Sequence, residues 1–303
     1  MSEVKTIEAG PDRKPIQMTG VCSIEAAAAP KDGEDAALPS VKLDAYNGGK
    51  IAVGWWGDIV VDLKGLPGMR DVAFNPDDGL ILGAAVTMNE VATHPAILAH
   101  YRMLADACET VGSYQLRNRA TIGGNICNGS PCADSLPPLY VLDAVAILES
   151  ANGERRLPIE KCFKGPKETV FYRNELLTAV EFAIPAQSAN SFFFASGQRK
   201  ALAITKISVA GQFNFIEGVV QMARIAYGSV APSVLRGAAV EEYIQWQSLS
   251  QETIKKSVSL CRNEIKPIDD IRSTADWRRE ATGVLLQRGL ELLAEKNQPP
   301  AQI

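Results

Sequence analysis

Between Gln115 and Asp134 the sequence gathers residue types that can grip a phosphorylated ligand without using charge. The centre of the segment reads Ala120-Thr121-Ile122-Gly123-Gly124-Asn125-Ile126-Cys127-Asn128-Gly129-Ser130-Pro131-Cys132-Ala133-Asp134. Gly123 and Gly124 have no Cβ, so backbone N–H groups there can approach a ligand closely. Thr121, Asn125 and Ser130 add neutral hydrogen-bonding side chains. A diphosphate can be held by such groups with no basic residue. Asp134 can accept hydrogen bonds from ligand hydroxyls. Equally, it or Ser135 can cap a short helix beginning near Pro138. A tight glycine turn with a helix cap is the plain structural alternative for the same residues.

Other chemistries are poorly supplied. There is no G-x-G-x-x-G following a strand and no phosphate-binding G-x-x-x-x-G-K-[ST] loop. The two histidines, His94 and His100, make a histidine metal site or a Ser-His-Asp triad a poor reading. They lie on the Thr87–Thr110 helical stretch with no matched partner for a general base. The six cysteines, at 22, 108, 127, 132, 162 and 261, contain no C-x-x-C pair. We read them as reduced, mostly buried thiols in a reducing compartment. The formal net charge of −4 supplies no basic excess for nucleic acid. Residues 1–20 lack the apolar core of a signal peptide, and no run of about 18 apolar residues occurs. The expectation is a cytoplasmic protein with no membrane span.

The elements that must position these groups follow from periodicity. With 303 residues, 46% of them hydrophobic, the chain is long enough for two domains. The first 45 residues are weakly patterned. Residues 59–63 read as a buried strand, and 72–74 and 80–84 as a strand pair around Asp77-Asp78-Gly79. Thr87 starts one helical stretch, and Pro95 opens a second that runs to about Thr110. Asn152-Gly153 joins a hairpin, and 176–184 is a further strand. A composition break falls near 186–190. Beyond it, Val209, Gly211, Phe213 and Phe215 alternate with Ala210, Gln212 and Asn214, the period of a half-buried strand. Glu217-Gly218 turns the chain into another run. Ser250 caps a helix whose apolar face is Ile254, Val258, Cys261 and Ile265. Ser273-x-x-Asp276 opens a last helix with Trp277, Ala281, Val284, Leu285 and Leu292 on its face. The fold class is α+β, and the lack of strict strand–helix alternation disfavours a doubly wound parallel sheet.

The Ala120–Ser135 segment resembles the second flavin motif of the FAD-binding medium subunits of molybdenum hydroxylases, the xanthine dehydrogenase and carbon monoxide dehydrogenase family. The likeness extends over about residues 58–295. It includes Val61-Asp62-Leu63-Lys64-Gly65-Leu66-Pro67-Gly68 and the stretch 139–148. It continues through Arg199-Lys200-Ala201-Leu202-Ala203-Ile204, Ala226–Pro232 and Asp270–Arg279. The resemblance implies a p-cresol methylhydroxylase-type FAD-binding domain over 1–187, in two α+β subdomains meeting near 58. A small antiparallel-sheet-plus-helices domain over 188–297 and a tail at 298–303 complete it. It implies one FAD relaying electrons from an iron–sulfur subunit to an external acceptor, with a molybdopterin subunit oxidising the substrate. The implied partners are a molybdopterin-binding large subunit and a [2Fe-2S] small subunit, in a dimer of heterotrimers. The implied cofactor residues are Ser113, Ala120, Thr121, Gly123, Gly124, Asn125, Cys127 and Asp134. Leu176 and Leu177 match the pair that packs the adenine, and as plain residues they read equally as core strand.

The sequence departs from the family at three places. Where the family has its first flavin loop, an Ala-Gly-Gly-Thr-like turn, one register places Leu38-Pro39-Ser40. The glycines of Asn47-Gly48-Gly49 lie too close to Val61. Trp55 and Trp56 stand in surroundings foreign to the family. Cys127 and Cys132 have no cysteine-rich insertion beside them, so they read as packing residues rather than cluster ligands. The local sequence Phe194–Arg199 lacks the lysine common there. These departures keep a second reading in view, a structural or assembly subunit of the same complex that has lost FAD.

Overall fold

The computed structural model describes residues 5–7, 16–18, 41–44, 50–53, 59–185, 189–199 and 202–297, with side-chain detail from Leu63 onward. Residues 33–40, Asn47-Gly48-Gly49, Trp55, Trp56, Cys22 and the tail lie outside the described residues.

Two small antiparallel units come first. β1 (Lys5–Ile7) pairs with β2 (Ile16–Met18). β3 (Val41–Asp44), β4 (Lys50–Val53) and β5 (Ile59–Asp62) form a three-stranded sheet. The hairpin β6 (Val72–Asn75) and β7 (Gly79–Gly83) follows. Gly79 sits at φ +109°, a conformation open to glycine, and the Phe182 carbonyl occupies the space a Cβ would need. Then come α1 (Met88–Thr93), α2 (Pro95–His100), α3 (Arg102–Thr110), α4 (Tyr114–Arg117), α5 (Ile122–Cys127) and α6 (Leu136–Val141). β8 (Val145–Ser150) and β9 (Gly153–Pro158) make the expected hairpin, but its two-residue turn is Ala151-Asn152, and Gly153, at φ +114°, already pairs with Ser150. β10 (Phe163–Gly165) and β11 (Glu168–Thr169) pair locally. β12 (Leu176–Phe182) inserts between β7 and β8, giving the sheet order β6-β7-β12-β8-β9.

The second sheet is β13 (Ala189–Ser196), β14 (Ile207–Ile216), β15 (Val219–Gly228) and β16 (Leu235–Arg236), paired in chain order. Glu217 and Gly218 both take positive φ, as a two-residue hairpin turn requires. α7 (Ala238–Ile244), α8 (Gln251–Glu264) and α9 (Ala275–Lys296) close the chain.

One core joins the first sheet to α1–α3, α5 and α6 and runs on into Phe193, Ala210 and Ala226 of the second sheet. A second core lies between the other face of β13–β15 and α7–α9, with Phe192, Phe213, Ile254, Leu286 and Leu290 at its centre. β14 is therefore buried on both faces from Ile207 to Phe213. This differs from the half-buried strand its alternation suggests. α6 packs on the face that would otherwise be wet, with α3 beside it on β13, and the small residues Ser208 and Ala210 on that face of β14 leave room.

Three local expectations shift. The stretch from Pro95 breaks at Tyr101 (φ −134°, ψ 39°) into α2 and α3. The Tyr101 ring there turns inward, 2% exposed, edge-on to Phe182 at 4.9 Å. The cap of α9 is Thr274, whose side chain accepts from Trp277 N at 3.2 Å, rather than Ser273, whose N–H goes to Asp270. The buried face of α9 is Arg278, Thr282, Leu285, Leu286, Gly289, Leu290 and Leu293, while Trp277 and Val284 are exposed. The buried arginine hides the stripe from a hydrophobicity pattern. Its charge is met by Asp270 at 2.6 Å and the Ser229 carbonyl at 3.1 Å.

Candidate functional site

The glycine turn is built by two short runs lying antiparallel. Thr87 and Thr121 form an isolated bridge. Met88 N donates to Ala120 O at 2.8 Å, Ile122 N to Val86 O at 3.0 Å and Gly123 N to Ala84 O at 2.9 Å. Both threonines then cap a helix. Thr87 forms a capping box with Glu90 at α1, and Thr121 Oγ1 accepts from Gly124 N at 3.1 Å at α5. A Cβ on Gly123 would lie 2.5 Å from Ala84 Cβ and 2.7 Å from Ala84 O. Only glycine lets α5 sit this close to the strand that feeds α1. Ala84 N in turn donates to Thr178 O at 2.8 Å, tying the turn to β12.

The remaining candidates arrange around this turn. Ser113 caps α4, its Oγ accepting from Leu116 N at 3.3 Å. One turn later Ala120 N donates to Leu116 O at 2.7 Å, so α4 delivers the chain to Ala120. Ser135 Oγ donates to Asn125 Oδ1 at 2.6 Å. That bond fixes the amide so that its NH₂ is the group on offer. Cys127 ends α5, half-buried; burial, with Cys162 nearby, pushes its thiol up to about 12. It is a neutral packing group, not a thiolate. Leu176 and Leu177 are each 2% exposed in the first core. Successive strand residues point to opposite faces, so β12 is covered on both sides here, with α5 among its neighbours. β3 also lies beside α5, which sets the three-stranded sheet next to the turn.

Asp134 caps nothing. It is 8% exposed at the junction of the two domains, where Thr205 Oγ1 donates to its Oδ1 at 2.6 Å. Burial pushes its carboxyl up to about 6, against the pull of the Thr205 and Thr110 hydroxyls. Ser135 precedes α6 but makes no capping bond, its hydroxyl being spent on Asn125. Ala84, Thr110 and Thr205 belong to this arrangement and escape a reading of the sequence. Thr205 follows directly on the Arg199–Ile204 stretch, and Ala84 sits in a run of small residues, Gly83-Ala84-Ala85. Neither carries a motif of its own.

The Ser135–Asn125 hydrogen bond thus links the Thr121–Asn125 turn to Asp134, which meets the second domain at Thr205. The donor set there is neutral, made of small side chains on a backbone locked by hydrogen bonds. Among the described residues no group of three or more His, Cys, Asp or Glu could hold a metal ion. No described helix is long and apolar enough to cross a membrane.

Comparison with known proteins places these features. Residues 57–186 match the family described as the FAD binding domain in molybdopterin dehydrogenase. Residues 192–293 match the CO dehydrogenase flavoprotein C-terminal domain. The Escherichia coli (strain K12) protein XdhB, which carries the name of a putative xanthine dehydrogenase FAD-binding subunit, is 30% identical over 220 residues, 72% of this chain and 75% of that one. The carbon monoxide dehydrogenase medium chain of Hydrogenophaga pseudoflava is 26% identical over 76% of this chain and 80% of that one. A solved structure of carbon monoxide dehydrogenase from the same organism superposes with a TM-score of 0.73 at 25% identity, covering 76% of this chain and 79% of that chain. The chain therefore belongs to the family of FAD-binding medium subunits of molybdopterin-dependent dehydrogenases.

Proposed function

We propose that the chain is the flavin subunit of a multi-subunit molybdopterin-dependent dehydrogenase, taking electrons from an iron–sulfur partner and delivering them to an external acceptor. The observation that carries this reading is the Thr121–Asn125 turn locked onto Ala84–Met88, beside a buried Asp134 at the domain junction. The residues present fit FAD. The side chains of the turn are small and neutral, and the oriented Asn125 amide offers a donor suited to a diphosphate. When bound, the flavin supplies exchange between one-electron donors and two-electron acceptors. The chain's own residues supply position. Thr121, Gly123, Gly124 and Asn125 would hold the diphosphate side, with Ser113, Ala120 and Cys127 lining its approach. Asp134 would accept from the cofactor's hydroxyls. Leu176 and Leu177 would back the adenine. We divide the chain at 187/188, with the two subdomains of the first part meeting near 58 and the three-stranded sheet β3–β5 beside the turn as the opposite wall of the cradle. The partners we infer are a molybdopterin-binding large subunit and a [2Fe-2S] small subunit, two copies of each per assembly, in the cytoplasm.

One observation favours the second reading, a structural subunit without flavin. The N–H groups of Ile122, Gly123, Gly124 and Asn125 are all bonded within the chain, to Val86 O, Ala84 O, Thr121 Oγ1 and Thr121 O. A visible absorption spectrum of the purified chain, with acid release of any flavin, separates the two. FAD near one per chain supports the flavin subunit. A folded chain by circular dichroism that stays colourless under excess FAD overturns it.

A further inference from the structure

The stretch of the glycine motif that runs into Asp134 is held from outside its own domain. Ser229, the residue after β15, donates its N–H to Pro131 O at 2.9 Å. Arg272, in the connection between α8 and α9, donates from Nη1 to Cys132 Sγ at 3.3 Å. Thr205, two residues before β14, donates from Oγ1 to Asp134 Oδ1 at 2.6 Å. Pro131, Cys132 and Asp134 thus each receive a hydrogen bond from the second domain.

The three donors are tied to one another. Ser229 Oγ donates to Thr205 O at 3.3 Å. Arg278 Nη1 donates to Ser229 O at 3.1 Å, and Asp270 pairs with both Arg278 and Arg272. Thr205, Ser229 and Arg278 are all buried. Ser229 also stands at φ +64°, where a residue with a Cβ is strained. Such strain persists only where the surroundings impose it, and it gathers at functional sites. The two domains have an apolar contact of their own through Phe193, Ala210 and Ala226. What the polar chain adds is a fixed donor on the Asp134 carboxyl.

The chemistry at Asp134 gives that donor a use. A carboxylate taken out of water keeps its charge only where hydrogen-bond donors meet it. Burial raises this carboxyl to about 6, and the Thr205 and Thr110 hydroxyls hold it from rising further. The other groups facing it carry no variable charge near neutrality. The Cys108 thiol of α3 is pushed up by burial and by Asp134 itself, and Arg272 and Arg278 stay paired with Asp270. A carboxylate held by one fixed donor is an acceptor of set direction for a ligand hydroxyl. We propose that Thr205, backed by Ser229, is a positioning residue for FAD that orients the Asp134 carboxylate as an acceptor for the cofactor's hydroxyls. This rests on the reading of Asp134 as a residue of the flavin cradle. It makes flavin affinity depend on the second domain.

The test measures FAD affinity of the full-length chain by flavin fluorescence, between about pH 5 and 8.5, with urea midpoints of the cofactor-free chain to show that each variant folds. Thr205→Val removes the hydroxyl and keeps the shape. It is expected to weaken FAD about tenfold at pH 7, the worth of one hydrogen bond to a charged group. The lost bond favours the ionised form, so the pH below which FAD affinity falls is expected to rise from about 6 by about one pH unit. Thr205→Ser keeps the hydroxyl and is expected to stay within about twofold of the parent. Asp134→Asn is expected to weaken FAD about tenfold, and adding Thr205→Val to it to change affinity no further, because Thr205 acts through the carboxylate. A merely structural clamp would weaken FAD equally with and without Asp134→Asn and leave the pH onset in place; that result overturns the proposal. Weaker binding in Asp134→Asn with parent affinity in Thr205→Val overturns the role of Thr205 alone. Parent affinity in Asp134→Asn, or a chain that takes up no FAD, overturns the underlying reading and this proposal together. Where Thr205→Val does not fold, Ser229→Gly carries the test. It relieves the positive φ, removes the hydroxyl behind Thr205 and is expected to fold and to bind FAD about threefold more weakly; parent affinity there overturns the proposal.

Discussion

Replacing Gly123 by alanine adds one methyl group where Ala84 already stands. The new Cβ would lie 2.5 Å from Ala84 Cβ, 2.7 Å from Ala84 O and 2.9 Å from Ala84 Cα, against about 3.5–4.0 Å for a relaxed carbon–carbon contact. α5 must retreat by about 1 Å, which strains or breaks the Gly123 N–H to Ala84 O bond of 2.9 Å. Overpacking of this kind costs about 1–3 kcal/mol, and the lost hydrogen bond about 1 kcal/mol more. Alanine recovers about 1 kcal/mol of helix propensity. The net expectation is a loss of about 2 kcal/mol, or roughly 5 °C in melting temperature. The displaced turn should also hold FAD at least about tenfold more weakly, the equivalent of 1.4 kcal/mol. Melting scans with and without FAD, and a flavin titration, read the two effects separately. Gly65→Ala is the control: nothing lies within 4 Å of its added Cβ, so it should stay within about 0.5 kcal/mol of the parent. Adding Ala84→Gly to Gly123→Ala removes the methyl–methyl clash but leaves the contacts with the backbone of residue 84, so rescue should be partial. A Gly123→Ala chain that melts with the parent and binds FAD equally well would refute the argument, as would complete rescue by Ala84→Gly.

Other expectations test different parts of the fold. Asp134 has its carboxyl raised from 3.8 to about 6, so between those values the folded chain binds the extra proton and stability falls as pH rises. At about 1.4 kcal/mol per unit the swing is about 3 kcal/mol; Asp134→Asn in the cofactor-free chain should flatten urea midpoints between pH 4 and 6 and raise them at pH 7. Arg236 joins the domains, bonding Glu241 at 2.9 and 3.0 Å, Glu160 at 2.8 Å and Asp143 at 3.1 Å. Arg236→Gln strands those carboxylates, and because the guanidinium is partly exposed the loss should be about 2 kcal/mol, seen as a lower urea midpoint at constant slope. Gly289 on α9 has the Phe192 ring where its Cβ would be; Gly289→Ala should cost about 1–3 kcal/mol and leave flavin binding untouched, since it acts in the second core. Thr121→Ala should lose about 1 kcal/mol of helix capping that Thr121→Ser keeps, and flavin affinity should follow the same order.

How much of this was legible from residues alone depends on how local the cause is. The hairpin at Glu217-Gly218, the Ser250 cap and the Ile254–Ile265 stripe arise from interactions within a few residues and stand where the pattern places them, and the Asn152-Gly153 hairpin turns one residue earlier, at Ala151-Asn152. The glycine turn was legible too, because Thr121-Ile122-Gly123-Gly124-Asn125 combines a cap with a run of small residues. The fold class and the flavin family rest on that turn and on ordered motifs along about 58–295, where the family models also match. What the sequence could not contain was the partner of each group. Gly123 is demanded by Ala84, far earlier in the chain, and the Asp134 carboxyl is raised because its burial outweighs the pull of the Thr205 and Thr110 hydroxyls. The alternation of β14 describes a strand with one wet face, yet α6 buries it. The stripe of α9 is masked by Arg278, whose charge only the folded Asp270 and Ser229 can answer. Short-range steric and hydrogen-bonding preferences are written in neighbouring residues, so the sequence determined the turns, the caps and the glycine motif. Burial and the pairing of polar groups arise between segments far apart in the chain, so only the tertiary structure decided which faces were dry and which groups stood opposite one another.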